Sequence, residues 1–490
     1  MGYKILPYNR SLALLTDLYE LTMAYACWKS GVHKKESVFH MFFRTNPFNG
    51  GFALACGLEY AVDFLENFRF AKDDIRYLSS VRGNDGKLIF DKGFLKYLEN
   101  MRLECDIDAV REGTVVFPLE PIIRVRGPII QCQILESALL NILNFQTLIA
   151  TKASRVYIAA RGEPILEFGL RRAQGIDGAL AASRAAYIGG SAATSNMLAG
   201  RMFGIPVKGT HAHSWVMAFD DELEAFKTYA KAMPNNCVFL VDTYDTLEGV
   251  KKAVKVGQWL KKNRHRMAGI RLDSGDLAYL SKEARKMLDR AGLKEAQILA
   301  SNDLDEHIID SLKDQGAAVG VWGVGTKLVT GYGQPALGGV YKISAVRDRG
   351  GEWEYKVKIS EQFIKVSNPG IQQVRRYCVN GENVADVIYG HDTDMSGECV
   401  MIDPLDMTRQ KRIPAGTGFE DLLKPVFSGG RKVYKNMPIS EIRRSALKNI
   451  EGFHSGIKRF VHPHRYPVGL EKSLHALKTK LILKARQIGT

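Results

Sequence analysis

A series of short apolar runs, each followed by polar or glycine residues and then by a helix-like stretch, constrains the fold most. The runs begin at Pro164, Gly204, Cys237, Met267, Ala296 and Ala317. Most of the spacings are about thirty residues, the length of one strand–helix unit. Such a series forms either a parallel α/β barrel or an open doubly wound sheet. We predict an irregular parallel α/β barrel, because polar residues follow every run, as they do in the loops at the mouth of a barrel.

The segments on either side of this series follow a different pattern. A helix is predicted from an N-cap at Ser11 to Gly31, and it is followed by the β-prone run "SVFHMFFRTNPFNGGFAL", the helix "GLEYAVDFLENF" and short strands in "VVFPLEPIIRVRGPII". Strand patterns return after Gly338 and are expected to rejoin the first sheet. We therefore predict a discontinuous α+β open-faced sandwich domain (1–135 and 340–400), a barrel domain (136–339) and a basic, helical C-terminal extension (401–490).

Length and composition limit the class of protein. The 490 residues, 46% hydrophobic and 25% charged, are typical of a globular protein with two or three domains. Asp17 and Glu20 interrupt the apolar N-terminal stretch, which argues against a signal peptide. No stretch resembles a membrane helix of about 18 to 20 apolar residues. The seven cysteines are scattered without a C-x-x-C pair, as expected for idle thiols. We expect a cytoplasmic protein that does not bind membranes.

The net charge of +15 has two possible explanations, nucleic acid and small anionic substrates. Much of the excess lies in the last part of the chain, where "KSLHALKTKLILKAR" is typical of a basic amphipathic helix. That helix can be a solvated helix packed on its own protein or a surface for RNA or a partner. Aromatic residues are not interleaved with the basic ones, so we expect no nucleic-acid binding.

Polar residues and glycines follow the apolar runs, and a barrel would bring them to one mouth. They are Phe168, Arg171, His213, Asp242, Arg271, Asp273, Ser301, Asn302, Asp303, Gly323, Gly325 and Thr326. Arginine binds oxyanions through paired donors, and carboxylates accept ribose hydroxyls or hold Mg²⁺. Glycines in "GVGTK" would let backbone N–H groups approach an anion, although such a pair also marks an ordinary turn. "DSGD" could equally be a helix N-cap. The set suits a substrate that carries phosphate and hydroxyl groups.

The segment "KGTHAHSW" contains two histidines separated by one residue, His211 and His213. Three roles are open: two ligands of a metal site, a structural pair, or one functional histidine beside a histidine without a direct role. A metal site would need a third ligand, and no spacing indicates one. On an extended chain the two side chains would point the same way.

Motifs along most of the chain resemble one family in order: "TDLYELTM", "FFRTNPFNGG", "LLNFQTLIATKASR", "EFGLRRAQG", "GGSAATSN", "GTHAHSWVMAF", "VDTYDT", "IRLDSGDL" and "PALGGVYK". The chain resembles the nicotinate phosphoribosyltransferases, which transfer the ribosyl phosphate of phosphoribosyl pyrophosphate to nicotinate during NAD biosynthesis. The resemblance implies Mg²⁺ as cofactor and ATP as co-substrate, with His213 as the phosphorylated residue. A nicotinamide or quinolinate phosphoribosyltransferase of the same fold is the alternative.

The resemblance also implies roles for the site residues. His213, Asp273 and Arg271 would be catalytic, and Asp242 or Asp273 would lie near the ribose and Mg²⁺. The 5′-phosphate would lie at Gly325 and Thr326, with Asn302 and Asp303 alongside, and Ser301 and Gly323 would also bind substrate. Phe168 and Tyr19 would stack on the base, with Tyr19 from a neighbouring subunit, which implies a homodimer. Where nicotinamide-using relatives carry an aspartate, this chain has Thr194, Ser195 and Asn196, and Ser195, Asn196 and Arg171 are expected to bind substrate. With Arg171 and Arg271 available for a carboxylate, nicotinate is the expected base.

Overall fold

Two compact units make up the chain, for which the computed structural model describes residues 11–487. The first unit combines Met1–Leu148 with Ala336–Thr490, and the second unit is Ile149–Pro335. The first unit is therefore discontinuous, and the second contains the repeated strand–helix segments. The C-terminal segment, predicted as a separate extension from residue 401, is part of the first unit.

The N-terminal part of the first unit is mixed α and β. Its helices are α1 (Leu18–Lys29), α2 (Leu58–Glu66), α3 (Lys72–Leu78), α4 (Lys92–Asn100), α5 (Ile129–Ile134) and α6 (Glu136–Ala159), which runs on into the second unit. Its strands are β1 (Glu36–Phe43), β2 (Ala53–Leu54), β3 (Asp106–Val110), β4 (Val115–Val116) and β5 (Ile123–Pro128). Two short 3-10 helices lie at Val32–Lys34 and Pro47–Asn49.

Two sequence predictions in this part are wrong. Ser11 is not the cap of the first helix, because α1 begins at Leu18 and Asp17 holds the N-cap position. The Ser11 hydroxyl instead donates to the Arg69 carbonyl. The strand predicted through Ile130 ends at Pro128, where α5 begins. Gly31 does end the first helix region, with the left-handed φ of 80° that favours glycine.

One helical segment is more apolar than the sequence prediction allowed. The stretch Ile129–Ala159 is long and apolar enough to cross a membrane by length and composition. However, 67% of its most apolar window is buried inside the protein. A buried core helix meets the same criterion of length and composition. Because most of this window is buried, the segment is a core helix of the fold.

The second unit is built on a parallel sheet. Its strands are β6 (Ile165–Glu167), β7 (Ala193–Thr194), β8 (Val238–Leu240), β9 (Gly269–Leu272), β10 (Gln297–Ala300) and β11 (Val321–Val324). The six strands form one sheet in the order β7-β6-β11-β10-β9-β8, and each strand is parallel to its neighbours. The run at Gly204 supplies only a single parallel bridge, between Val207 and Thr194. The predicted strand there is therefore replaced by β7, which the sequence analysis missed.

Helices of the second unit follow the strands. They are α7 (Ile176–Ile188), α8 (Met197–Phe203), α9 (His213–Met217), α10 (Glu222–Ala232), α11 (Thr246–Lys262), α12 (Leu277–Arg290), α13 (Glu306–Asp314) and α14 (Thr326–Val329), with a 3-10 helix at Leu170–Arg172. Aspartate side chains cap α11, α12 and α13 at their N-termini. The sheet buries Phe239, Ile270 and Trp322 completely. These buried runs are why the strands lie inside the unit and their polar ends lie at its rim.

The C-terminal part returns to the first unit. Its strands are β12 (Gly339–Arg347), β13 (Glu354–Tyr355), β14 (Gln372–Val379), β15 (Glu382–Gly390), β16 (Cys399–Ile402), β17 (Gln410–Ile413), β18 (Gly418–Asp421), β19 (Leu423–Ser428), β20 (Arg431–Lys432) and β21 (Val468–Glu471). Its helices are α15 (Ile439–Glu451) and α16 (Lys472–Ala485), with 3-10 helices at Phe363–Lys365 and Ser455–Lys458.

The pairing of these strands confirms one prediction and corrects another. β12 pairs antiparallel with β1, so the chain does rejoin the N-terminal sheet, a seven-stranded sheet in the order β13-β12-β1-β5-β3-β19-β20. A second sheet has the order β17-β16-β21-β15-β14-β18. The region after residue 403 is thus rich in strands as well as helices, rather than helical as predicted. The basic terminal helix is α16, which buries Leu474 and Lys478.

Candidate active site at the strand ends of the second unit

Arg271 is the centre of a polar cluster at the carboxyl ends of the parallel strands. Its neighbours on β9, Ile270 and Leu272, are fully buried, and alternation along the strand turns the arginine to the opposite face. The guanidinium donates to the Ser301 hydroxyl (2.8 Å) and to the Thr210 hydroxyl (3.0 Å). Its third nitrogen donates to Asp273 Oδ1 at 2.8 Å. Three separate chain segments are therefore joined by one cation.

Asp273 is the carboxylate partner of this cation. Burial alone would raise the pKa of Asp273, but the Ser301 hydroxyl, the Arg271 guanidinium and nearby His213 outweigh burial, and the pKa is lowered. Asp273 Oδ2 lies 3.8 Å from His213 Nε2. The Asp273 side chain is 26% exposed, so an ionised carboxylate reaches the surface of the cluster.

Asp242 follows β8 and supports the next strand end. Its Oδ2 accepts from the Asp273 N–H at 2.8 Å and from the Ser274 hydroxyl at 2.6 Å. Its Oδ1 is buried and has no hydrogen-bond partner among residues 11–487. A buried carboxylate oxygen without a donor is costly, so this oxygen is suited to a ligand hydroxyl or a cation.

His213 and His211 lie in different environments. His213 is the first residue of α9, and its Nδ1 lies 3.1 Å from the Thr243 hydroxyl. Ala212, between the two histidines, is extended (φ −100°, ψ 169°), and the chain becomes helical only from His213. His211 is 8% exposed and lies among the rings of Phe226, Tyr229 and Phe239. Of the two histidines, it is His213 that approaches the Asp273 carboxylate.

Phe168 lies directly after β6 and faces the same cluster. The Arg271 guanidinium lies 5.5 Å from the centre of the Phe168 ring, within the range of a cation–π contact. The ring packs against β11, where a Cβ on Gly323 would lie 2.8 Å from a ring carbon. The glycine at 323 is thus required for the ring position rather than for a special backbone angle.

Glu167 is a site residue that the sequence analysis did not identify. Its carboxylate is fully buried and accepts from the hydroxyls of Ser183 (2.8 Å) and Thr194 (2.5 Å). It also accepts from the N–H of Gly169, directly after Phe168. The Glu167 carboxylate therefore contacts Thr194, in the region where the sequence pattern indicated no acid. Both of its oxygens already accept hydrogen bonds from the protein. The signal that could have revealed it is the lone acid inside the apolar run "PILEFG".

The loops after β10 and β11 complete the rim. Asn302 and Asp303 are exposed and have left-handed φ values of 94° and 38°, a strained conformation common at functional sites. Gly325 is the N-cap of α14, which begins at Thr326 directly after β11. Lys327, missed by the sequence analysis, is ion-paired with Asp305 at 2.9 Å. These loops provide backbone and hydroxyl donors next to the arginine cluster.

Four predicted site residues lie apart from the central contacts. Asn196 is buried and caps α8, its side chain accepting from the Ala199 N–H at 3.2 Å. Ser195 is partly buried, and Arg171 is exposed on the 3-10 helix after Phe168. Tyr19 belongs to the first unit and is 47% exposed on α1. Their roles as substrate-binding residues stay predictions.

The acidic side chains of the cluster can be compared with the ligands that the predicted Mg²⁺ would need. Among residues 11–487, no group of three or more His, Cys, Asp or Glu side chains is arranged to hold a metal ion. Asp242 nevertheless accepts from the backbone N–H of Asp273, so two aspartates meet at these strand ends, and Asp242 Oδ1 lacks a donor in the described part of the chain. Two carboxylates fit Mg²⁺, which is commonly bound by one or two carboxylates together with substrate phosphates and water.

Three family models match the chain in succession. They describe the nicotinate phosphoribosyltransferase N-terminal domain (residues 14–144), the nicotinate phosphoribosyltransferase family (164–357) and the nicotinate phosphoribosyltransferase C-terminal domain (371–478). Together they extend through both units and include the strand-end cluster.

Individual relatives are similar over nearly the full chain. Nicotinate phosphoribosyltransferase of Bacillus subtilis strain 168 is 44% identical over 479 residues, covering 96% of this chain and 95% of the relative. Nicotinate phosphoribosyltransferase 2 of Arabidopsis thaliana is 35% identical, covering 100% and 98%. The crystal structure of human nicotinic acid phosphoribosyltransferase matches with a TM-score of 0.82 at 30% identity, covering 95% of this chain and 99% of that one. The mixed α/β chain described here belongs to the nicotinate phosphoribosyltransferase family.

Proposed function

We propose that the strand-end cluster carries out the reaction of the family: transfer of the 5-phosphoribosyl group of phosphoribosyl pyrophosphate to nicotinate, giving nicotinate mononucleotide and pyrophosphate. The observation that carries this proposal is the joining of Arg271, Asp273 and His213 within one polar cluster. The chain is an enzyme of NAD biosynthesis from the free acid. Its substrates are nicotinate and phosphoribosyl pyrophosphate.

The charges of the cluster suit the chemistry of the transfer. As the bond between ribose C1 and the pyrophosphate oxygen breaks, positive charge grows on the sugar and negative charge on the leaving group. The lowered pKa of Asp273 keeps its carboxylate ionised, so it can stabilise the sugar cation and accept ribose hydroxyls. Arg271, whose side chain is 14% exposed, offers a fixed cation for the anionic substrate.

The base would stack on Phe168. This ring lies beside Arg271 at the same rim, so a flat pyridine ring on it can direct its carboxylate towards a guanidinium. Arg171, on the following 3-10 helix, is exposed and is a second candidate for the carboxylate. Ser195 and Asn196 carry no charge that would repel it, and the Glu167 carboxylate is enclosed by three donors. These contacts favour nicotinate over nicotinamide.

ATP would phosphorylate His213, with transfer of the γ-phosphoryl group to the imidazole and release of ADP. The Thr243 hydroxyl lies 3.1 Å from Nδ1 and orients the ring, and the Asp273 carboxylate lies 3.8 Å from Nε2. His213 thereby links ATP turnover to the ribosyl site through Asp273. The 5′-phosphate would bind at Gly325 and Thr326, with Ser301, Asn302, Asp303 and Gly323 alongside.

Mg²⁺ would be held by Asp242 or Asp273 together with the substrate pyrophosphate. When bound, it neutralises charge on the departing pyrophosphate. The buried Asp242 Oδ1, which has no donor in the described part of the chain, supports this assignment. The side chains of the protein would bind the sugar and orient the base.

A homodimer would complete the site with Tyr19 of a second copy. The first unit exposes an apolar face on and before α1, formed by Leu15, Leu18, Tyr19 and Met23. The second unit exposes Leu170, Ile176, Met197 and Leu198 around the strand ends of β6 and β7. Large apolar side chains gathered in this way commonly mark subunit contacts. Each face suits burial against a second copy of the chain.

Three further expectations concern the detailed architecture of each unit and the location of the protein. The parallel sheet of the second unit would curl into an irregular α/β barrel, which its single continuous strand order allows. The antiparallel sheets of the first unit would form an open-faced sandwich. The protein would act in the cytoplasm, without membranes or nucleic acid as partners.

The test is to incubate the protein with phosphoribosyl pyrophosphate and Mg²⁺ and with each base separately, with and without ATP. Mass spectrometry should detect nicotinate mononucleotide, in larger yield when ATP is present. Product from nicotinamide or quinolinate but not from nicotinate would contradict the assignment. The variant Asp273→Asn serves as the inactive control, because it removes the charge and keeps the shape.

A further inference from the structure

We propose that His211 is a positioning residue whose imidazole closes the open edge of the parallel sheet and thereby fixes the loop 208–213. This loop places Thr210 next to Arg271 and His213 next to Asp273. The structural part of the proposal is independent of the reaction. Its kinetic part rests on the proposed function, in which His213 accepts a phosphoryl group.

The parallel sheet has a gap that backbone hydrogen bonds do not close. On one edge, Thr194 of β7 exchanges bonds with the following segment, donating to the Pro206 carbonyl (3.0 Å) and accepting from the Lys208 N–H (3.1 Å). At the other edge, among residues 11–487, β8 pairs with β9 alone. Val241 N–H donates to the Arg271 carbonyl on that side, so the amide of Leu240 points away from β9, towards the open edge.

The His211 ring fills this gap. Its Nε2 accepts from the Leu240 N–H at 3.2 Å. Its Nδ1 lies 3.3 Å from the Ala212 carbonyl, which can only accept. Both contacts are satisfied by one neutral tautomer, with the proton on Nδ1 and the lone pair on Nε2. A side chain therefore supplies the hydrogen bond that a neighbouring strand would supply in a closed sheet.

The surroundings of the ring keep it neutral and fixed. Burial lowers the pKa of His211, the nearby Arg271 and His213 lower it further, and only the bond with Ala212 opposes them. The Tyr229 ring meets the imidazole edge-on, with 5.1 Å between ring centres. Phe226 and Phe239 pack at 6.1 and 6.4 Å. A protonated Nε2 would face the Leu240 N–H with a second donor, so the neutral form is required.

The loop fixed in this way delivers two groups to the active cluster. Thr210, directly before His211, accepts from Arg271 at 3.0 Å. His213, two positions after it, contacts Thr243 and approaches Asp273. Fixing the backbone at His211 therefore sets the positions of both neighbours. Because a shift of about 1 Å in a reacting group can cost on the order of a hundredfold in rate, a lost anchor should be visible in the chemistry.

The first test measures hydrogen exchange at the Leu240 amide in the full-length protein. In His211→Leu, which keeps an apolar side chain but removes the acceptor, the Leu240 amide should exchange about tenfold faster or more. In His211→Gln, whose side-chain oxygen can accept the same bond, most of the protection should return. The variant Tyr229→Leu is the matched control, because it loosens the packing around the ring and leaves the acceptor in place.

The second test measures phosphorylation of His213 by ATP and the rate of ribosyl transfer in the same variants. His211→Leu should lower both by about tenfold or more, His211→Gln should recover them in part, and Tyr229→Leu should lower thermal stability with a smaller effect on rate. Equal exchange at Leu240 in wild type and His211→Leu would overturn the proposal. So would equal losses in Leu240 protection and in rate for His211→Leu and Tyr229→Leu.

The two tests keep the failure of each hypothesis distinct. If wild type transfers the ribosyl group without any phosphorylation of His213, the assignment of ATP fails. The positioning role is then judged by Leu240 exchange and by the transfer rate. If wild type shows neither reaction, the proposed function fails, and Leu240 exchange alone decides whether His211 anchors the loop.

Discussion

The Nη2 atom of Arg271 lies 2.8 Å from the Oδ1 atom of Asp273 at the end of the same strand. The two side chains remain only 14% and 26% exposed, so the pair is held away from much of the solvent. Neither charge must be reorganised when substrate arrives, because Ser301 and Thr210 hold the guanidinium from other segments. Such fixed, oppositely charged groups are what a reaction with a developing sugar cation and a departing anion requires.

Replacing Arg271 by alanine should lower kcat/KM for phosphoribosyl pyrophosphate by about a hundredfold or more, because Asp273 is left without its charged donor. Arg271→Lys should recover only part of this loss, since a single ammonium cannot bond Ser301, Thr210 and Asp273 together. Steady-state kinetics measures both effects. Arg266→Ala, at an exposed arginine before the same strand, is the control. Unchanged kinetics in Arg271→Ala would show that substrate does not meet this cation.

Replacing His213 by alanine should abolish the stimulation of transfer by ATP while leaving slower, uncoupled transfer. The reason is that Asp273, Arg271 and Asp242 contact one another independently of the histidine. The measurement is the yield of nicotinate mononucleotide with and without ATP, together with phosphate incorporation by intact-protein mass spectrometry. If this variant is still phosphorylated to the wild-type level, the acceptor is a different residue.

Much of the site could be predicted from the chain because strand ends obey a simple rule. Apolar runs that bury a parallel strand place the next polar residue at one rim, and this rule predicts that Arg271, Asp273 and Ser301 lie together. The rule fails where the strand is very short. β7 has two residues, too few to show an apolar period, whereas the apolar run at Gly204, predicted as a strand, forms only the bridge at Val207 in the described part of the chain.

Residues that act through other residues were harder to predict. Glu167 is hidden inside an apolar run, and its meaning appears only when Ser183 and Thr194 are brought to it from elsewhere in the chain. His211 looked equivalent to His213 because spacing alone cannot show that one ring is buried beside Tyr229 while the other approaches Asp273. The strands after residue 403 were also missed, because they are short and interrupted: β19, for example, contains Pro425 and is followed by glycines.

Adding a methyl group at Gly323 should displace the Phe168 ring. The new Cβ would lie 2.8 and 2.9 Å from two ring carbons, closer than packed carbon atoms allow. We expect Gly323→Ala to raise the KM for nicotinate by about tenfold, with a smaller change for phosphoribosyl pyrophosphate. Gly178→Ala is the control, because its Cβ would meet nothing within 4 Å in helix α7. Equal KM values for nicotinate in both variants would mean that Phe168 does not bind the base.

Glu306 offers a test of the stability of the second unit. Its carboxylate is buried and pairs with Lys152 (2.7 Å) and Arg155 (2.8 Å). Burial alone would raise the pKa of Glu306, but the two cations outweigh it and lower the pKa below its ordinary value of 4.5. A lowered folded-state pKa contributes stability that is present above the ordinary pKa and is lost as the pH falls through the folded-state value.

Glu306→Gln should therefore reduce the free energy of unfolding of this unit by about 3 kcal/mol near neutral pH, because two buried cations lose their counter-charge. The difference from wild type should shrink once the pH falls below the folded-state pKa of Glu306, where the wild-type carboxyl is also neutral. Urea unfolding at a series of pH values measures this. Glu283→Gln, which breaks an exposed pair with Lys286, should change little. A difference for Glu306→Gln that stays constant into strong acid would show that packing, rather than charge, makes the glutamate necessary.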